Sequence, residues 1–266
     1  MTYLDELENK SIYLIREAHY RFKDAALLWS MGKDSTALLW ICRKAFFGKI
    51  PFPVIHIDTN FKFKEIIDFR DKYAKKWELD LIIAQNKPAL ANGMSSQKSI
   101  LTCCTALKTD PLKQTISQYN LKAVLLGIRR DEHGIRAKER YFSVRTDNFQ
   151  WQYENQSPEF WNLFSTSLKT GEHLRIHPLL HWSELNVWEY ILQENIPVVD
   201  LYFSKNGKRY RSIGCAPCCT PTPSKADNVR KIIKELKETK LSERDGRKHD
   251  KEDPYTMQKL RSLGYM

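Results

Sequence analysis

Residues 25–36 read AALLWSMGKDST: five apolar residues, then a loop with one glycine, one lysine, one carboxylate and three hydroxyls. Such a stretch is a buried strand that ends in a small-residue loop and opens a helix. The first N–H groups of a helix lack intrahelical partners, and with the helix dipole they favour an anion. Lys33 adds charge, and Ser30, Ser35 and Thr36 add hydroxyl donors, so phosphate is the expected guest. The spacing differs from the GxxxxGK[ST] phosphate loop, because Gly32 alone stands before Lys33. A plain strand-to-helix turn, with Gly32 left-handed and a serine cap, would give Lys33 and Asp34 no common purpose.

Outward from this loop, short apolar runs alternate with helical stretches, the pattern of a parallel sheet with crossover helices. Residues 25–29, 54–58 (VIHID), 79–84 (LDLIIA), 123–128 (AVLLGI) and 174–179 (LRIHPL) are the expected strands. Helices are expected over 36–46, 63–77, 110–120, from a Ser183 N-cap onward, and over about 225–240. The fold class is therefore α/β, a doubly wound, mostly parallel sheet. Residues 1–204 form its main domain, and a basic, cysteine-containing segment, 205–266, packs on it. Residues 141–172, rich in aromatic and polar side chains, are expected to be an irregular excursion.

Strand ends are where open α/β sheets hold ligands. Asp58, in HIDTN, is placed to hold a ribose hydroxyl or Mg²⁺, or to cap the next helix. Arg129, Arg130 and Arg136, in GIRRDEHGIRA, offer planar forks suited to an oxyanion such as sulfate or phosphate.

The formal charge is +11, and residues 205–266 hold 16 basic against 8 acidic side chains. Such a tail can cover a polyanionic nucleotide, touch nucleic acid or be solvated. No apolar run approaches the roughly 18 residues of a membrane span. MTYLDELENK lacks the plan of a signal peptide, so a cytoplasmic protein without membrane contact is expected. Six cysteines then argue for metal or redox chemistry over disulfides. Cys42 sits in an apolar helix face. Cys103–Cys104 and the C-x-x-C of Cys215 and Cys218 offer four thiolates from two loops, suited to a [4Fe–4S] cluster or tetrahedral zinc, the adjacent pair favouring iron–sulfur. Cys219 is left as a spare thiol.

SMGKDST resembles the PP-loop of the ATP pyrophosphatase superfamily, of adenine nucleotide alpha hydrolase-like fold, and of its sulfonucleotide group. GIRRDEHGIRAKER, HPLLHWSELNVWEYILQENIPVVDLYF, SERDGR and MQKLRSLGYM are most similar to the small, catalytic subunits of heterodimeric bacterial ATP sulfurylases. The resemblance implies that Ser30, Gly32, Lys33, Asp34, Ser35, Thr36 and Asp58 bind ATP with Mg²⁺. It implies that Lys33, Asp34, Arg129 and Arg130 are catalytic and that sulfate attacks the α-phosphorus, and it raises a GTPase large subunit as a partner. TCCTALKTDPLK with SIGCAPC resembles instead the cluster cysteines of assimilatory adenylyl-sulfate reductases, yet no cysteine follows Cys219 to serve as their redox thiol. An iron–sulfur-dependent sulfur transferase or reductase-like enzyme is the enzymatic alternative, and a nucleic-acid-binding module the non-enzymatic one.

Overall fold

The computed structural model describes residues 1–244, 246–247 and 255–265; Asp245 and Met266, in the SERDGR and MQKLRSLGYM stretches, lie outside the described residues. The main part runs α1 (Tyr3–Arg21), β1 (Ala25–Leu28), α2 (Lys33–Ala45), β2 (Val54–Ile57), α3 (Lys64–Lys76), β3 (Leu81–Ala84), α4 (Lys87–Ala91), α5 (Ile100–Cys104), α6 (Asp110–Gln118), β4 (Ala123–Leu125), β5 (Phe142–Arg145), β6 (His173–Ile176) and α7 (Glu184–Gln193). Then come a two-stranded ribbon, β7 (Lys208–Arg209) and β8 (Thr222–Pro223), and the helices α8 (Val229–Glu238) and α9 (Thr256–Ser262).

The six-stranded sheet has the order β3-β2-β1-β4-β6-β5 and is parallel except at the β5–β6 edge. Each residue of β1, β2 and β4 is buried, as strands covered on both faces must be. Alternate residues serve opposite layers: Ala25 and Leu27 join the core that includes α1, α2 and α7, while Ala26 and Leu28 meet Leu112 and Ile116 of α6. Strand order reverses between β1 and β4, so the loops leaving them open the crevice where ligands of such sheets sit.

The stretch expected to be irregular contains β5. Its Ser143 and Arg145 are buried like Phe142, because Glu139 neutralises Arg145 at 2.8 Å, so no apolar-polar alternation marks the strand. α7 begins as expected at Ser183, whose hydroxyl accepts the Asn186 N–H. The segment after 204 packs on the main part through the pair of Arg211 with Glu184 at the start of α7 (2.8 Å), and within the segment Arg209 of β7 meets Glu235 of α8 (2.7 Å).

Gly127, just past β4, lets the sheet approach the loop after β1. A Cβ there would stand 3.0 Å from the Asp34 carbonyl carbon and oxygen and from the Ser35 Cα, backbone atoms that cannot turn aside. Gly127→Ala is expected to cost about 1–3 kcal/mol in urea unfolding, as overpacking generally does, because the Asp34 and Ser35 backbone must shift. Unchanged stability would refute this contact.

Candidate active site

The loop between β1 and α2 turns at Met31, which adopts the left-handed conformation (φ 60) with its side chain buried in the core. Gly32 is not the left-handed residue; it is the extended N-cap of α2. Its lack of a side chain answers to crowding, since a Cβ would meet Ser30 Oγ at 3.3 Å and Tyr202 Oη at 3.6 Å. Several loop donors are engaged within the protein. Lys33 N–H donates to Tyr202 Oη (2.8 Å), and Ser30 N–H donates to Ser35 Oγ (3.2 Å).

Lys33 is fully buried and its ammonium meets Asp34 (3.2 Å) and Glu243. Arg129, also fully buried, donates Nε to Asp34 (2.6 Å), Nη1 to Asp131 (2.5 Å) and Nη2 to Glu243. Burial works against each of these charges. Asp34 and Glu243 nevertheless hold Lys33 and Arg129 above their ordinary values, and the two cations hold Glu243 well below its own.

Ser30, Gly32, Lys33, Asp34 and Ser35 line one wall of a pocket, and Lys62, Lys108, Glu132, Arg136, Arg244 and Arg247 line the others. Arg136 therefore stands where an oxyanion could be held, with Glu132 bridging it to Arg244 (3.0 Å). Four expected site residues stand elsewhere. Thr36 is buried against Trp29, whose indole N–H donates to its hydroxyl (3.1 Å). Asp58 folds back to accept the Asn60 N–H (2.8 Å), an Asx turn that leaves it off the pocket wall. Arg129 lies behind the wall, its three nitrogens committed to carboxylates. Arg130 points the other way, to His181 and the Glu139 carbonyl (3.0 Å).

Sequence reasoning assigned no role to Lys62, Lys108, Glu243, Arg244 or Arg247. Lys108 had a local signal, one turn beyond Cys104. A π-helical turn over Thr105–Thr109 links α5 to α6 there, a widening that often accompanies functional positions. Glu243 had none, because its partners lie 210 and 114 residues away.

The two cysteine loops converge. Burial together with the Cys104 and Cys215 thiols pushes Cys103 up to about 11, and Cys218 likewise senses Cys215 and Cys104. Burial also opposes the Cys215 thiolate, but Lys108, Lys62 and the Thr59 hydroxyl (3.1 Å) bring it down to about 7. The thiols stand in a cationic setting that fits an anionic cluster, although among the described residues no three His, Cys, Asp or Glu side chains form a ready metal-holding group. Cys219 is buried and accepts from the Gly214 N–H (3.1 Å) and Arg247 Nη1 (2.9 Å). Among the described residues no helix is long and apolar enough to cross a membrane.

Residues 24–221 match the phosphoadenosine phosphosulfate reductase domain family. The whole chain is 40% identical to the sulfate adenylyltransferase subunit 2 of Geotalea uraniireducens, covering 98% of it, and 38% identical to that of Psychromonas ingrahamii, again covering 98%. Either alignment runs over 296 positions against 266 residues here, so the relatives carry stretches without counterpart in this chain. Among solved structures, the phosphoadenylyl-sulfate reductase of Candida auris superposes with TM-score 0.55 at 18% identity, over 84% of this chain and 98% of that one. The FMN adenylyltransferase of Candida glabrata gives 0.56 at 17%, over 83% and 66%. Both share the fold.

Removing one member of a buried ion pair costs about 3–5 kcal/mol. Glu243→Ala is accordingly expected to lower the urea-unfolding free energy at pH 7 by about 3 kcal/mol. Since the folded carboxyl lies below its unfolded value near 4.5, its contribution is complete above that pH and drains as pH falls through the folded value. The gap between wild type and variant should close in acid; a variant as stable as wild type at pH 7 would remove Glu243 from this role.

Proposed function

We propose that this chain, which belongs to the phosphoadenosine phosphosulfate reductase domain family and to its sulfate adenylyltransferase small-subunit group, cleaves ATP between the α and β phosphates and transfers the adenylyl group to sulfate. The observation that supports this most is a single pocket with the SMGKDST loop on one wall and Arg136, Lys108 and Arg247 on the others. A nucleotide polyphosphate and a second anion can be held there side by side.

A sulfate oxygen attacks the α-phosphorus, the bond from that phosphorus to the bridging oxygen breaks, and pyrophosphate leaves. No side-chain nucleophile is needed, so the protein acts by alignment and by neutralising crowded charge. Ser30, Ser35 and Lys33 receive the pyrophosphate end, and Mg²⁺ enters with the nucleotide. Arg136, with Arg244, holds the oxyanion. Arg129 acts through others, fixing Asp34 and Glu243 around Lys33. Cys103, Cys104, Cys215 and Cys218 are the residues that would hold a [4Fe–4S] cluster, which would supply fixed negative charge between the two loops. The partner is a large subunit of GTPase type, in keeping with relatives named subunit 2.

The convergence of the thiols beside the same pocket favours one second reading, cluster-dependent sulfur transfer to an adenylated acceptor. Labelled sulfate with ATP and pyrophosphatase, under anaerobic conditions and with and without the large subunit, separates the two. The first reading requires labelled adenylyl sulfate. Its absence in both arms would promote the second.

Lys33→Ala and Asp34→Ala should each lower pyrophosphate release by about a hundredfold or more, as loss of a transition-state charge partner does. Near-normal release in both would remove the phosphate-loop assignment. Protein purified without oxygen should be brown and hold about four irons per chain. One zinc and no iron would overturn the cluster.

A further inference from the structure

The pocket is uneven in charge. At the phosphate loop Lys33 meets Asp34 and Glu243, so cation and carboxylates balance. The wall beside the cysteines carries Lys62, Lys108 and Arg247, and there Lys108 Nζ donates to the Tyr265 hydroxyl (3.3 Å) and Arg247 Nη1 to the Cys219 sulfur (2.9 Å). Lys62 differs from both. Among the described residues its ammonium makes neither a hydrogen bond nor an ion pair, and Asp58 acts on it only weakly, behind Cys215 and two cations.

This is not a wandering surface lysine. Lys62 pairs with Cys215 in an antiparallel bridge, and Ala216 N–H donates to the Phe61 carbonyl at 2.8 Å. The backbone is thereby fastened to the C-x-x-C loop, and the half-buried side chain faces the pocket. Burial, Lys108 and Arg247 all disfavour the ammonium charge there. A cation so placed, favoured by the Cys215 thiolate but with three donors uncommitted, is stabilised further by a dianion in the pocket.

We propose that Lys62 is an acceptor-binding residue that contacts the sulfate dianion directly and selects doubly over singly charged tetrahedral oxyanions, without contact to the nucleotide phosphates. This rests on the sulfate adenylyltransferase reading. Sulfate occupies the cationic wall while the polyphosphate lies on the loop opposite.

The test uses the full chain and its Lys62→Gln and Lys62→Arg variants, titrated calorimetrically with sulfate and with perchlorate in the presence of Mg²⁺ and a non-hydrolysable ATP analogue. Lys62→Gln should weaken sulfate binding about tenfold or more, the scale of one lost charge-assisted hydrogen bond, while perchlorate and the ATP analogue stay within about threefold. Lys62→Arg should recover most of the sulfate affinity. Unchanged sulfate binding in Lys62→Gln, or equal weakening of all three ligands, would overturn the proposal. Pyrophosphate release by the wild type with sulfate is followed in parallel. No release with the large subunit either present or absent would count against the adenylyltransferase reading, whereas the sulfate-to-perchlorate ratio in the variants decides the role of Lys62 by itself.

Discussion

Lys33, Asp34, Arg129 and Glu243 form a closed set of two cations and two carboxylates inside the protein, and the pocket exists because that set closes. Each charge alone would be costly to bury, and each is tolerable because two opposite charges face it. The members come from the start of α2, the exit of β4 and the segment after α8, so one electrostatic contact sews three distant parts of the chain to one point. Its closeness explains features that would otherwise look incidental. Met31 accepts a left-handed backbone, Gly32 and Gly127 forgo side chains, and Tyr202 reaches in to take the Lys33 N–H.

The sheet was legible wherever its strands were apolar on both faces. AALL, VIHI and AVL announce themselves because parallel strands under helices need no polar face. β5 was hidden because its polar residues are buried too, with Glu139 absorbing the charge of Arg145, and a local pattern cannot display a partner outside the strand. The same limit governs the site. SMGKDST could be read as a phosphate loop from its own chemistry, and the thiol pairs point to one another through their rarity. Nothing around Arg129 reveals that three carboxylates consume its fork, nor that Arg130, its neighbour, turns to His181. Adjacent arginines look equivalent in a sequence; the sheet edge separates them.

The basic segment after residue 204 shows how net charge can mislead. Arg209 is spent on Glu235, Arg211 on Glu184, Arg244 on Glu132 and Arg261 on Glu139. The last three hold the segment to the main part, while Arg209 and Glu235 tie β7 to α8 within it, and the main part gives the pocket Lys62 and Lys108. Part of the tail's charge is thus internal wiring, and the tail contributes Arg244 and Arg247 to the cationic cleft.

Glu243 is also made long after the two cations it serves, 210 residues after Lys33 and 114 after Arg129. At ribosomal speed roughly ten seconds separate Arg129 from Glu243, time enough for the strands to collapse around an unfinished centre. Until then Lys33 and Arg129 share Asp34, with Asp131 on Arg129 besides, and the centre beneath a formed sheet lacks the one carboxylate of the later segment that both cations face. Completion of the pocket therefore waits on the segment after α8. A chain halted before residue 243 lacks that shared acceptor, and a borrowed anion is what can stand in for it.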